Sequence, residues 1–161
     1  ARTTQNGCIG VIATEASIRS DAYRQALLTE NADLRVVSVS CPLFVPLVEN
    51  GYSEKEATRL IAEDYLKPIQ ESGADTLILG CTHYPLLRGV ISRIMGDGVS
   101  LINPGVCVAQ EARETLAAGD MLSSQAQRDA YPSDFARLGS VFLERPIHGL
   151  VSQVNIEEYS I

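Results

Sequence analysis

The sequence lacks the features that mark metal-binding, membrane-spanning and nucleic-acid-binding proteins. Its four cysteines and two histidines show no CxxC spacing of the kind that zinc sites use. No segment is long and apolar enough to cross a bilayer, and no secretory signal pattern opens the chain. The net charge of -7 comes without a basic stripe, which argues against nucleic acid or an anionic membrane as a partner. We therefore expect a cytoplasmic protein with reduced thiols and no metal.

Short apolar runs alternate along the chain with longer amphipathic ones. The apolar runs predict strands at 8–13, 34–39, 75–79, 99–102 and 151–156. The amphipathic runs predict helices at 17–30, 53–72, 84–95, 106–118 and 133–143. This alternation predicts an α/β fold with a mostly parallel sheet and helices on both of its faces.

The second predicted helix carries two signals near its ends. Ser53 and Glu56 have the spacing of a capping box at the start of this helix. Pro68 is expected to kink or shorten its last turn, because proline lacks the backbone N–H that a helix interior needs. Further along, the polar stretch 119–130 is expected to be a surface loop or a crossing between lobes.

Four segments that follow predicted strands have the character of strand-end loops, at 14–17, 41–49, 81–83 and 103–105. In a parallel sheet all four would meet at the edge where α/β proteins bind ligands. Hydroxyls and helix N-terminal amides gathered there would suit a small carboxylate. The hydroxyls of Thr14 and Ser17 could equally serve as helix caps. No glycine-rich phosphate pattern is present in this region, so a nucleotide site is not expected.

The segment around Cys81 carries the strongest chemical signal. Its strand breaks at Gly80 and is followed by a thiol, a hydroxyl and an imidazole, from Cys81, Thr82 and His83. A free thiol titrates near ~8.5, so a helix N-terminus or an imidazolium beside it is enough to produce a thiolate near neutral pH. His83 could supply or accept the proton. A buried structural cysteine beside an incidental histidine is an equally weighted alternative.

Glu49, Cys8 and Cys107 can each be explained by a structural role. Glu49 ends an apolar run before the turn pair Asn50-Gly51. Its carboxylate is either held near a site or solvated at a helix end, and from spacing alone the solvated alternative is favoured. Cys8 and Cys107 are expected to be small buried apolar side chains.

Three segments together resemble motifs of the glutamate racemases, within the aspartate/glutamate racemase superfamily. They are GCTHYPLL at 80–87, CPLFVPLVENG at 41–51 and GVIATEASI at 10–18. Their order and spacing also match, and the resemblance runs from about Gly7 to the C-terminus, more loosely after Gly119.

The resemblance implies a cofactor-independent enzyme with two α/β lobes and glutamate bound between them. In this family one thiolate removes the α-proton, and a thiol on the opposite face returns a proton. By resemblance, Cys81 would deprotonate L-glutamate, His83 would be its proton partner and Glu49 an auxiliary acid. The residues that would hold the substrate's charged groups are Thr82, Thr14 and Ser17. The D-glutamate formed would supply peptidoglycan synthesis.

The motifs of the family's first lobe, an Asp-Ser-Gly loop and a Cys-Asn-Thr motif, do not occur in this sequence. We therefore expect 1–103 to be the second lobe and 104–161 a segment that returns to an incomplete first lobe. Such a chain would be inactive alone and would expose apolar surface after Asn103. Two alternatives are a half-site module that binds a carboxylate or a partner without catalysis, and a racemase of aspartate. The sequence is compatible with a homodimer.

Overall fold

The computed structural model describes residues 1–121, which alternate between strands and helices. The strands are β1 (Cys8–Ala13), β2 (Arg35–Ser40), β3 (Thr76–Gly80) and β4 (Ser100–Ile102). The helices are α1 (Glu15–Arg19), α2 (Ala22–Glu30), α3 (Phe44–Glu49), α4 (Glu56–Ser72), α5 (Arg88–Met95) and α6 (Pro104–Ala118), with a 3₁₀ helix at Tyr84–Leu87. The predicted helix 133–143, the predicted strand 151–156 and most of 119–130 lie outside the described residues.

The four strands form one parallel sheet in the order β2-β1-β3-β4. The predicted α/β class is therefore confirmed. The strand order reverses at β1, because the chain passes from β1 to β2 on one side and then returns to β3 on the other. Ligands of open α/β sheets bind at such a reversal, outside the carboxyl ends of the strands. The fold therefore indicates a ligand site at the carboxyl ends of β1 and β3.

Side chains from successive residues of the strands point to opposite faces of the sheet. Cys8, Ile12, Leu77 and Leu79 pack with α3, α4 and α5. On the other face, Ile9, Val11 and Ile78 pack with residues of α1 and α2. Both faces are covered, so the strands consist of nearly continuous apolar runs. Burying one such Ile or Leu side chain stabilises the fold by roughly 1.5–3 kcal/mol.

The predicted helix 17–30 is divided into α1 and α2. The break lies at Ser20 and Asp21, and Asp21 has a left-handed backbone with φ 55°. A helix cannot continue through that conformation, so the prediction of one continuous helix was wrong.

The capping box predicted for α4 is also wrong, because the helix begins at Glu56 itself with Lys55 as its N-cap. The hydroxyl of Thr58 instead donates to the carbonyl of Tyr52 at 2.7 Å, which holds the chain before the helix. Pro68 does not end α4, which continues to Ser72.

Two further segments differ from their predictions in local conformation. Residues 41–49 were predicted as a strand-end loop, yet six of them form α3, with Pro46 in the first turn, where a missing N–H removes no helical hydrogen bond. The predicted helix 84–95 begins with the 3₁₀ helix and becomes α-helical only at Arg88.

Helix α6 contains no buried side chain, as expected for apolar surface after Asn103. Val106 and Val108 are 62% and 63% exposed. Cys107 is exposed as well, so its predicted burial was wrong, whereas Cys8 is buried as predicted. The chain divides into two units, Ala1–Thr115 and Leu116–Ile161. In residues 1–121, no helix has the length and apolar character that a bilayer span requires.

Candidate active site

The carboxyl ends of three strands lie at the same level of the sheet edge. Ala13, the last residue of β1, is paired with Ser40 of β2 and with Gly80 of β3. The next residues along the chain are Thr14, Cys41 and Cys81. Thr14 and Cys81 therefore flank the point where the strand order reverses, as the sequence predicted for their segments.

Gly80 is required for the close approach of the β3 end to its neighbours. A Cβ atom at this position would lie 2.9 Å from the carbonyl oxygen of Ile12 and 3.0 Å from a ring carbon of Tyr23. The next residue, Cys81, is a half-buried free thiol. Its carbonyl accepts a hydrogen bond from the backbone N–H of Tyr84 at 3.1 Å, which closes a turn around Thr82 and His83.

His83 joins the residues predicted to carry the chemistry. Its Nδ1 atom lies 3.9 Å from the Sγ atom of Cys81 and 3.4 Å from the Oγ1 atom of Thr82. Its Nε2 atom lies 3.0 Å from the Oε1 atom of Glu49. Glu49 ends α3 and its side chain is 46% exposed, as the sequence alone favoured, and its carboxylate also pairs with an imidazole that is 17% exposed.

Glu49 determines which nitrogen of the imidazole carries the proton. A carboxylate accepts hydrogen bonds, so the bond to Glu49 places the hydrogen of neutral His83 on Nε2. The Nδ1 atom then offers its lone pair toward the Cys81 thiol, and after protonation it donates instead. The separation of 3.9 Å is longer than the roughly 2.6–3.2 Å of a proton-transfer contact, and such contacts often tighten only when substrate binds.

Thr14 and Ser17 form a second polar group at the end of β1. Thr14 is the N-cap of α1, and its Oγ1 atom accepts a hydrogen bond from the Ser17 N–H at 3.4 Å. The two hydroxyls are 3.0 Å apart. The structure therefore shows the capping role for Thr14, which the sequence had left as an alternative. Thr14 and Ser17 thus bond to each other, whereas Thr82, Glu49 and Cys81 are joined through His83.

The sequence did not predict the contact between Tyr84 and Cys41. The buried hydroxyl of Tyr84 donates to the Cys41 carbonyl at 2.9 Å. Burial raises the pKa of the Cys41 thiol to about 12, and burial followed by the nearby Cys41 raises the pKa of Tyr84 far above its usual range. Both groups therefore stay protonated near neutral pH. A buried tyrosine hydroxyl usually has a hydrogen-bond partner, but the sequence does not reveal which one.

Tyr23 approaches the site from α2. A ring carbon of Tyr23 would lie 3.0 Å from a Cβ atom added at Gly80. The pKa of Tyr23 is raised first by burial and second by the charge of Cys81. A neutral phenol thus lies near the thiol, on the side of the sheet opposite to Tyr84.

Residues 1–121 contain no group of three or more His, Cys, Asp or Glu side chains that could hold a metal ion. A groove of about 460 Å³ lies away from the site, between α4 and α5. Its charged side chains are already paired, Arg59 with Glu63 and Arg93 with Glu54. The groove therefore offers little free charge for a ligand.

The sequence matches known proteins over most of its length. Over residues 1–112 the sequence matches the family model described as Asp/Glu/Hydantoin racemase. It is 40% identical over 164 residues to the glutamate racemase of Geobacter metallireducens, covering 98% of this chain and 60% of that protein. It is 46% identical over 133 residues to the glutamate racemase of Lactiplantibacillus plantarum, covering 82% of this chain and 48% of that protein.

The fold is similar to that of solved glutamate racemases. The structure from Francisella tularensis in complex with D-glutamate superposes with a TM-score of 0.82 at 30% identity, covering 95% of this chain and 59% of that one. The chain thus spans about half to three-fifths of the length of these relatives. Since the family model matches well over half of the sequence, this chain belongs to the Asp/Glu/Hydantoin racemase family.

Proposed function

We propose that this chain supplies one half of the active site of a glutamate racemase, which interconverts L- and D-glutamate without a cofactor. The observation that carries the proposal is the series of contacts from Glu49 through His83 to Cys81, at 3.0 Å and 3.9 Å. These contacts lie at the sheet edge where α/β folds bind ligands. The names of the related proteins support glutamate as the substrate.

In the proposed reaction the Cys81 thiolate removes the α-proton of L-glutamate. The Cα–H bond breaks, an S–H bond forms, and the electron pair left on Cα is delocalised into the carboxylate. A proton delivered to the opposite face then forms the new Cα–H bond of D-glutamate. The family's other cysteine would provide that proton, and the Cys-Asn-Thr motif that carries it does not occur in this sequence.

His83 and Glu49 prepare Cys81 for this step. The Nδ1 atom of His83 takes the thiol proton and holds it near the sulfur. The Glu49 carboxylate at Nε2 stabilises the imidazolium that results. Without a metal or an organic cofactor to delocalise charge, the barrier must be lowered by positioning and fixed electrostatics.

The hydroxyls at the two strand ends would hold the charged groups of the substrate. The Thr82 hydroxyl is exposed beside His83. In the other group, Thr14 accepts from the Ser17 N–H, which leaves a hydroxyl hydrogen of the pair able to donate to a carboxylate oxygen. We further propose that the enzyme acts in the cytoplasm, where D-glutamate supplies peptidoglycan synthesis. We also propose that the enzyme is a homodimer, which analytical sedimentation would test.

The test compares Cys81 with Cys107, a cysteine outside the proposed site, in the full product of the gene. Racemisation of L- and D-glutamate is followed by circular dichroism for the variants Cys81→Ser and Cys107→Ser. Loss of a catalytic base predicts a decrease of about 10²–10⁴-fold in kcat for Cys81→Ser, whereas Cys107→Ser should match the wild type. Full activity of Cys81→Ser would contradict the proposal.

Two parallel measurements separate the alternatives. Aspartate is assayed under the same conditions, and faster turnover of aspartate would change the substrate but not the site. If neither amino acid is racemised yet the protein binds glutamate in a titration, the half-site module without catalysis is the correct interpretation.

A further inference from the structure

We infer that Tyr84 is a positioning residue that sets the contact between Glu49 and His83. Its hydroxyl and ring hold the segment after β2 against the turn after β3. The inference rests on the proposed function, because Tyr84 would influence catalysis only through the Glu49–His83 pair.

The sheet itself does not fix this contact. Glu49 belongs to α3, which follows β2, and His83 follows β3, but β1 lies between these two strands. Adjacent strands are about 4.8 Å apart, so the ends of β2 and β3 are separated by about twice that distance. The separation of 3.0 Å between Glu49 and His83 therefore depends on a connection between the segments that follow β2 and β3.

Tyr84 makes such a connection at two of its atoms. Its backbone N–H donates to the carbonyl of Cys81 at 3.1 Å and closes the turn that presents Cys81 and His83. Its hydroxyl donates at 2.9 Å to the carbonyl of Cys41, the first residue after β2. One fully buried residue thus joins the two segments that carry the proposed chemistry.

The same carbonyl also starts the helix that carries Glu49. The backbone N–H of Phe44, the first residue of α3, donates to the Cys41 carbonyl at 3.2 Å. The Phe44 ring packs edge-on against the ring of Tyr84, with centroids 5.2 Å apart and an interplanar angle of 88°. On its other side Phe44 packs against Tyr65 of α4 at 5.3 Å. A displacement of Phe44 would be passed along the short helix α3 to Glu49.

The hydrogen bond from Tyr84 should persist across the pH range of an assay. Burial, followed by the nearby thiols of Cys41 and Cys81, raises the pKa of Tyr84 far above its usual range. The hydroxyl therefore remains protonated and remains a donor.

The variant Tyr84→Phe removes this donor and leaves the ring. The Cys41 carbonyl keeps the N–H of Phe44 as a partner, so the fold should persist, which a thermal melt checks. In the full product of the gene, kcat should fall about tenfold with KM nearly unchanged, because a small misplacement near the reacting groups can cost up to ~10²-fold. The control Tyr52→Phe, at a tyrosine that is 48% exposed, should match the wild type.

A double-mutant cycle with Glu49→Gln tests the route of the effect. If Tyr84 acts through the Glu49–His83 pair, adding Tyr84→Phe to Glu49→Gln should lower kcat by less than about twofold, since coupled residues are not additive. A tenfold decrease in both backgrounds would overturn the inference. Wild-type kcat in Tyr84→Phe alone would overturn it as well.

A measurement without turnover separates this inference from the proposed function. Nitrogen-15 spectra of the 161-residue chain report the Nε2–H group of His83, assigned with His83→Gln. In Tyr84→Phe the exchange of this hydrogen with water should accelerate, as it should in Glu49→Gln. Unchanged His83 signals in Tyr84→Phe would overturn the positioning role, whereas absent racemisation by the wild-type protein would contradict only the proposed function.

Discussion

The Nε2 atom of His83 lies 3.0 Å from the Oε1 atom of Glu49, although 34 positions separate the two residues in the sequence. The contact joins the last residue of α3 to the turn after β3. It fixes the tautomer of the imidazole and turns Nδ1 toward Cys81. In the proposed reaction the carboxylate would therefore act on the thiol through the histidine.

Replacing Glu49 with glutamine tests this arrangement. The amide keeps the size of the side chain but removes the charge that stabilises the imidazolium. We expect kcat for glutamate racemisation to fall about 10–100-fold, by analogy with the loss of the carboxylate that orients a metal-binding histidine. Circular dichroism at a fixed wavelength measures the rate. Glu54→Gln, at an exposed glutamate paired with Arg93, is the matched control and should leave the rate unchanged. Equal rates for both variants would contradict the role of Glu49.

The four cysteines should differ sharply in their reaction with a maleimide near neutral pH. Cys107 is exposed and Cys81 half-buried, so both should be labelled in the folded protein. Cys8 and Cys41 are 2% and 0% exposed, and burial raises the pKa of Cys41 to about 12. Because the reagent cannot reach either buried sulfur atom, and because Cys41 also lacks the reactive thiolate near neutral pH, these two should react only after unfolding. Peptide mapping by mass spectrometry gives the labelled fraction of each cysteine. Labelling of Cys41 as fast as Cys81 would contradict the burial of the Cys41 thiol.

Two glycines provide a matched test of the close approach at the site. In Gly80→Ala the new methyl group would meet the Ile12 carbonyl at 2.9 Å and the Tyr23 ring at 3.0 Å. Overpacking of this kind costs roughly 1–3 kcal/mol of the free energy of unfolding. In Gly98→Ala the added Cβ would have no neighbour within 4 Å, so the change should stay within about 0.5 kcal/mol. Urea unfolding measures both, and equal stabilities of the two variants would contradict the close packing at Gly80.

The sheet was predictable because buried parallel strands leave a strong signal in the sequence. Each of the four described strands coincides with an apolar run. The ends of these runs correctly placed Thr14 and Cys81 at the carboxyl edge of the sheet. The boundaries of the helices were less predictable. Asp21 adopts a left-handed backbone that its residue type does not require, and α4 begins without a side-chain cap.

The proximity of Cys81 and His83 was predicted from their spacing, but the long-range side-chain contacts of the site could not be predicted from the sequence. Glu49 is exposed at the end of α3, as the sequence favoured, but nothing near it in the sequence indicates His83 as a partner. Tyr84 looked like an ordinary first residue of a helix, yet its hydroxyl reaches a carbonyl 43 positions away. Such contacts depend on how α3 packs beside the turn after β3, and this packing is a property of the tertiary structure.

Asp75 lies at the opposite end of the sheet from the site, where β3 begins. Its carboxylate accepts hydrogen bonds from the Thr4 hydroxyl at 2.6 Å and from the backbone N–H groups of Gln5 and Asn6 at 2.7 and 2.8 Å. The bond from Thr4, followed by those from Asn6, Gln5 and Thr76, lowers the pKa of Asp75 from 3.8 to about 2. The carboxylate therefore ties the segment before β1 to the sheet in its charged form.

This depressed pKa predicts a specific loss of stability in acid. The stabilising contribution of Asp75 is fully present above the unfolded-state pKa of 3.8 and is lost as the pH falls toward the folded-state value of about 2. Asp75→Asn should therefore be less stable than the wild type near neutral pH, and the difference should shrink as the pH falls through this interval. Urea unfolding at a series of pH values measures it, with Asp33→Asn, at an exposed turn residue, as the control that should show no such convergence. A constant difference between Asp75→Asn and the wild type down to about pH 2 would mean that the charge of Asp75 does not hold this segment.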